Sequence, residues 1–147
     1  KGGVFLGAVR TGVVKGLRTV LMLVRIMVPI YLLVVLIKYS PAMPWLQDVA
    51  RPLMRLFHLP ADAAVPVVTG LFSDEYGVVA ALGGFDFSAA AITTIAMITL
   101  AAHSVPVEAA VVQKIGFPGA AMAGLRLGTA VLTGILVGFI GTIGGMA

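Results

Sequence analysis

Two stretches of 21 residues, Phe87–Val107 and Leu127–Ala147, contain no Asp, Glu, Lys or Arg. A helix needs about 20 mainly apolar residues to cross the hydrocarbon core of a bilayer, and each stretch has that length. The first is Ala, Ile, Thr and Met from Ala89 to Ala102 with few exceptions; the second is rich in Gly, with Gly128, Gly134, Gly138, Gly141, Gly144 and Gly145. A shorter uncharged run, Ile26–Ile37, reaches spanning length when carried back through Arg25 to Thr19, which puts Arg25 and Pro29 inside the span. Composition agrees that lipid is the solvent, since 60% of residues are apolar and 11% charged, against roughly 45–50% and about 25% in soluble domains. A water-soluble chain this apolar would expose large hydrophobic patches. The expected fold is therefore an all-α integral membrane protein, one membrane domain over residues 1–147, with about three spanning helices at 19–38, 87–103 and 120–146. Two short broken or re-entrant half-helices and amphipathic interfacial helices complete the expectation.

At 100° per residue, Arg10, Lys15, Arg18 and Arg25 share one broad face of a helix. A basic stripe on an otherwise apolar helix predicts an interfacial N-terminal helix over 1–18, lying beside anionic head groups. The alternative is that the stripe is the solvated face of a longer first helix. Trp45–His58 is also amphipathic, with Asp48, Arg51, Arg55 and His58 on one side and Leu46, Val49, Leu53 and Phe57 elsewhere. The basic residues ahead of the first apolar core favour a cytoplasmic N-terminus. A formal charge of +4 reports head-group contact and topology here, and no nucleic-acid partner is expected.

At an offset of 46 without gaps, Pro60-Ala61-Asp62-Ala63-Ala64-Val65 aligns with Pro106-Val107-Glu108-Ala109-Ala110-Val111, and the register continues to Gly70 and Gly116. The internal repeat covers 58–72 and 103–117. Proline suits the first helical position, and an acid two residues later favours the positive end of the helix dipole. Gly70 and Gly116 are read as the C-terminal stops. Each copy is then a half-helix too short to span. One alternative is that the same helix opening occurred twice by chance. The other is functional: Gly/Pro-interrupted apolar segments at corresponding places in two halves point to a transporter binding site. Broken backbone at membrane depth is tolerated only where protein or a polar cavity receives it. A subunit this small encloses little cavity alone, so the functional reading implies a homo-oligomer, with a dimer favoured. Gly124-x-x-x-Gly128 and Gly134-x-x-x-Gly138 offer close helix contact between subunits or within one.

The residues Thr69, Gly70, Ser73, Asp74, Glu75 and Tyr76 interrupt the apolar pattern. They read either as an interfacial turn, with Ser73 capping a helix over 74–83, or as a turn reaching the solute path through Glu75 or Thr69. Asp86 or Ser88 would cap the span that follows. His103 and Ser104 close that span, just ahead of the second half-helix, and imidazole is the side chain that changes charge near neutral pH. Arg126 lies inside the last segment, where an ionisable residue needs a named partner. Glu108 or Glu75 would serve, and snorkelling to the interface is the alternative. The chain has no Cys, so disulfides and thiolate metal sites are excluded. No HxxxH, HExxH, EF-hand, GxxxxGK[ST], GxGxxG or GxSxG spacing occurs, so the chain is not expected to be an enzyme or to hold a metal or cofactor.

The run Phe57-His58-Leu59-Pro60-Ala61-Asp62-Ala63-Ala64-Val65-Pro66, then Thr69-Gly70-Leu71-Phe72, resembles the membrane "nucleoside recognition" or gate-type domain. So does His103-Ser104-Val105-Pro106-Val107-Glu108-Ala109-Ala110, followed by Arg126-Leu127 and Thr129-Ala130. That family is similar in pattern to spore maturation proteins A and B, the gates of the ferrous iron transporter B and parts of concentrative nucleoside transporters. The similarity runs from about residue 20 to about residue 140, on degenerate, apolar motifs. It implies an integral protein of a bacterial or archaeal cytoplasmic membrane, transporter-like, moving a nucleoside or other small solute. Pro60, Thr69 and Gly70 match the first motif, and His103, Ser104, Pro106 and Glu108 the second. No aromatic pair is placed for base stacking.

The expected function is a small oligomeric transporter or channel that binds a polar solute near the membrane midplane between broken helices. Its expected solute-binding residues are Thr69, Gly70, Ser73, Glu75, His103, Ser104 and Glu108, with Arg126, Pro60 and Pro106 as charge partner and structural positions. The alternative is a non-transporting scaffold or assembly subunit, in which the same acids only cap helices.

Overall fold

The computed structural model describes residues 2–144, with side chains from residue 7 onward except at Ile26. Among the described residues seven α-helices follow one another: α1 Gly2–Lys38, α2 Ala42–Leu56, α3 Ala64–Phe72, α4 Glu75–Leu82, α5 Ala89–Ala102, α6 Val105–Lys114 and α7 Gly119–Ile143. A single 3₁₀ turn, Ala61–Ala63, leads into α3, and no strand occurs among the described residues. The chain is an all-α membrane protein, with three apolar segments long enough to cross a bilayer: Gly7–Lys38, Ala89–Lys114 and Gly119–Ile143.

The first and second of these differ from the sequence reading. From Gly2 to Lys38 the backbone is one uninterrupted helix, with no break where an interfacial segment 1–18 would meet a span 19–38. At 1.5 Å per residue it is about 55 Å long, well beyond the roughly 30 Å of a hydrocarbon core. The expected clean span at 87–103 is in fact the 14-residue α5, only about 21 Å long. Spanning length is reached only by running on to Lys114, across a break at His103 and Ser104.

That break has a counterpart earlier in the chain. Helix α2 ends at Leu56 and α5 at Ala102; the residues that follow, Phe57 and His103, cap them. His58 (φ 56°) and Ser104 (φ 47°) come next, both left-handed, and they are the two non-glycine residues with positive φ among the described residues. Pro60 and Pro106 then open the half-helices, and Asp62 and Glu108 fall in their first turns. Each pair is separated by the same 46 positions as the sequence alignment. The left-handed residue terminates the preceding helix and turns the chain, and the proline two positions on cannot donate back across the turn.

Surroundings separate the two half-helices. Five of the nine α3 residues are buried, Ala64, Val65, Pro66, Val67 and Gly70, whereas α6 contains no buried residue. The α3 core is completed by Met54, Phe57, Val78, Ile95 and Ile98 from α2, α4 and α5. Helices α5 and α7 lie along each other, and α7 makes room through Gly134 and Gly138. A Cβ at Gly138 would come 2.0 Å from the Phe57 carbonyl oxygen, and one at Gly134 2.8 Å from Ile98 and Phe57 side-chain atoms. This Gly-x-x-x-Gly pair therefore serves contacts within the chain. Gly124 and Gly128 have nothing within 4 Å of the Cβ position.

Two caps depart from expectation. Asp74, not Ser73, opens α4: its carboxylate accepts from the Gly77 N–H at 3.1 Å, because it stands one residue closer to the orphan donors than the hydroxyl of Ser73, which caps the end of α3. Gly70 does not stop α3 but lies within it, where a Cβ would sit 2.6 Å from Thr99 Cγ2; its missing side chain allows α3 to approach α5. Gly116, by contrast, follows α6 with φ 91°, the conformation a helix C-terminus reserves for glycine. Ser88 caps α5 by accepting from the Ala91 N–H.

Candidate functional site

Around the break between α5 and α6, ionisable side chains from four helices meet. Glu75 stands in the first turn of α4, His103 at the C-terminal end of α5, Glu108 in the first turn of α6 and Arg126 two turns into α7. The His103 ring lies between the two acids, with Nε2 3.4 Å from Glu108 Oε1 and Nδ1 3.9 Å from Glu75 Oε1. Arg126 forms an ion pair with Glu108. Its Nε also donates to the Ala101 carbonyl at 2.9 Å, one of the oxygens left without an intrahelical partner at the end of α5. Its Nη2 is 3.3 Å from His103 Nδ1. The same ring nitrogen lies 3.4 Å from the Leu100 carbonyl oxygen at the end of α5.

Glu75 is held differently. Its Oε2 accepts from the Thr99 hydroxyl at 3.3 Å, while Oε1 is shut off from solvent and has no hydrogen-bond partner. Buried polar atoms are almost always paired, and one that is not marks a place where something is missing or strain is stored. About a third of the Glu75, His103 and Glu108 side chains is exposed, against 15% for Arg126. The cluster is thus anchored from the α7 side and open across α4 and α6.

Ser104 fixes the break itself. Its N–H reaches the Gly70 carbonyl (3.0 Å) and the Ser73 carbonyl (2.9 Å), and its hydroxyl donates to the Ser73 carbonyl at 2.7 Å. The C-terminal carbonyls of α3 and the N-terminal end of α6 are joined through this one residue, and that satisfies backbone groups which hydrocarbon could not.

Of the residues singled out in the sequence, Glu75, His103, Glu108 and Arg126 are brought together, with Ser104, Gly70 and Ser73 in the backbone bridge beneath them. Thr69 is not: its hydroxyl donates one turn back to the Val65 carbonyl. Pro60 borders a small cavity with His58, Ser88 and Thr142, away from the acids, and Pro106 is exposed on the first turn of α6. Thr99 escaped the sequence reading. It is one of three threonines on α5, and nothing in their spacing tells which one meets a carboxylate. In the first break, Asp62 accepts from the Gln47 side chain of α2, so the corresponding acid there has an uncharged partner. Among the described residues no group of three His, Asp or Glu side chains is placed to hold a metal ion.

The model of the nucleoside recognition (Gate) family matches residues 20–118, two thirds of the chain and all of the cluster except Arg126. The chain belongs to the Gate family. It is also similar to an uncharacterized membrane protein, YvoD, of Bacillus subtilis (strain 168), with 30% identity over 129 residues. That alignment takes in 88% of this chain and 41% of the relative, so the chain spans about two fifths of the relative's length. No solved structure matches. Gate domains are associated with transporters and other membrane proteins rather than with enzymes.

Proposed function

We propose that this Gate-family chain is part of an oligomeric membrane transporter, and that a small polar solute binds at the α5–α6 break against Glu75, His103 and Glu108. The observation that carries this reading is the open side of the cluster: two carboxylates and an imidazole, each side chain about one third exposed, converge at a broken span. Ionisable groups inside a membrane are expensive and mark solute or ion paths by default. Interrupted helices next to such groups are the usual architecture of a transporter site. The family description makes nucleosides the first solutes to test. The bacterial relative supports a cytoplasmic membrane of a bacterium as the location.

A specific observation favours a second reading, a non-transporting scaffold. Arg126 already neutralises Glu108 and ties down the end of α5, which is what a structural brace requires. The two readings separate in proteoliposomes. Thermal stability of the purified protein is first screened against nucleosides, divalent cations and small anions, since a ligand that binds only the folded state raises apparent stability. Uptake of any stabilising solute is then compared between the natural chain and Glu108→Gln. The transporter reading expects saturable uptake that Glu108→Gln abolishes while the protein stays folded. Unchanged uptake in Glu108→Gln removes the solute site from this cluster, and an absence of both stabilisation and flux leaves the scaffold.

A further inference from the structure

The open side of the cluster cannot face lipid. His103 and Glu108, each about one third exposed, lie within a segment apolar enough to span, and Glu75 on α4, equally exposed, stands beside His103; charged or hydrogen-bonding groups at membrane depth must face protein or a water-filled cavity. Helix α6, which carries Glu108, has no buried residue, although α3, which takes the same path in the first half, has most of its residues covered by neighbouring helices. On α6 the bare face is apolar around the acid, with Val107, Val111 and Ile115 exposed.

A second exposed charge has the opposite sign. Arg25 lies in the spanning part of α1, exposed, and no acid among the described residues pairs with it. Leu17, Leu21, Val24 and Val28 form an exposed apolar stripe beside it, at the alternating four- and three-residue spacing that lets helices pack. The first 47 residues contain no Asp or Glu at all. The level of Arg25 follows from the α1–α4 packing. Ile30 meets Gly77 and Val34 meets Gly84, so the two segments run in the same direction. Arg25, five residues before Ile30, is about 7.5 Å back along α1, and Glu75, two residues before Gly77, about 3 Å back along α4. The unpaired cation and the acid thus lie within about one helical turn of the same depth, on different faces of one chain.

We propose that a second copy of the chain lays its α1 across the open face of α4 and α6, bringing its Arg25 to Glu75 and Glu108. Two-fold symmetry about the membrane normal keeps both copies in one orientation, as the basic first helix requires, and preserves depth, so the contact forms twice. Each site is then incomplete without the other chain: the Arg25 guanidinium of the second copy meets the Glu75 and Glu108 carboxyl groups from their exposed side, and α1 covers α6. This rests on the oligomeric part of the reading above and needs no solute to be transported.

The test is dimerisation in liposomes. The chain has no cysteine, so one introduced on the exposed loop, Asp86→Cys, takes a single fluorophore, and the dimer fraction is read by single-molecule photobleaching over a range of protein-to-lipid ratios. Arg25→Gln is expected to weaken dimerisation about tenfold, Glu75→Gln similarly, and the double variant little more than either alone, the signature of two groups that act through one contact. Arg25→Lys should keep most of the affinity. A monomer at every ratio, an Arg25→Gln chain that dimerises like the natural one, or fully additive losses would each overturn the proposal. Arg25 is exposed, so its variants report on the contact even where Glu75→Gln fails to fold. Dimerisation that survives Arg25→Gln sinks this interface while leaving the transport reading intact; loss of uptake in Glu108→Gln with the dimer preserved supports transport separately.

Discussion

His58 and Ser104 share a backbone conformation that ordinary residues avoid, and they stand 46 positions apart, the offset at which the two proline-acid motifs align. The left-handed position thus recurs on different side chains, while the residue before it differs: Phe57 is near-helical (ψ 4°) and His103 extended (ψ 153°). In the first break the His58 ring packs beside Phe139, with centroids 6.2 Å apart. In the second, Ser104 adds a hydroxyl bond to Ser73. The coincidence is structural: His and Ser have no side-chain chemistry in common that an alignment would score.

Ser104 and His58 should therefore respond differently to the same replacements. Left-handed backbone costs a side-chain-bearing residue about 1–2 kcal/mol, which glycine avoids. His58→Gly is expected to raise stability or leave it unchanged. Ser104→Ala keeps the strain and loses the hydroxyl bond, a cost of about 1 kcal/mol. Ser104→Gly should lie between the two. Thermal unfolding in one detergent gives the order, and a Ser104→Ala chain as stable as the natural one would refute it.

Gly70 and Gly124 make a matched pair for the packing argument. A Cβ at Gly70 would lie within 3.0 Å of Thr99 and Val78, whereas at Gly124 it meets nothing within 4 Å. Overpacking of this kind typically costs about 1–3 kcal/mol. Gly70→Ala should lose about that much and displace Thr99 from Glu75, while Gly124→Ala should leave monomer stability within about 0.5 kcal/mol, as surface substitutions do. Equal melting temperatures for the two variants would contradict this packing.

Arg126 is expected to matter more for stability than its single charge suggests. Removing it leaves Glu108 without its ion pair and the Ala101 carbonyl without its donor. Hydrogen bonds to charged groups contribute about 1.5–3 kcal/mol, and the partial exposure of Glu108 puts Arg126→Gln near the lower end. Combining it with Glu108→Gln should recover part of the loss, because the uncompensated carboxylate is gone. A double variant no better than Arg126→Gln alone would show that the pair is not the source of the cost.

The sequence by itself determined the solvent, the all-α class with about three spanning segments though not the bounds of the first two, the proline openings of the half-helices and most members of the cluster. These follow from local physics: uncharged length, proline openings, and the cost of charge inside lipid. That Arg126 needs an acid, Glu108 or Glu75, was legible in that way, and the packing of α6 on α7 chose Glu108. Tertiary structure decided the rest. Helix α1 is continuous because nothing between residues 18 and 19 breaks a helix, and a change of hydrophobicity along its length is not a break. Gly70 reads as a stop in one dimension and serves as a close approach in three, because only the position of Thr99 reveals why a side chain is absent there. The choice of Thr99 over Thr93 or Thr94, the capping of α4 by Asp74, and the covering of α3 beside a bare α6 depend on which helices become neighbours, and no local spacing along a chain this uniformly apolar encodes that.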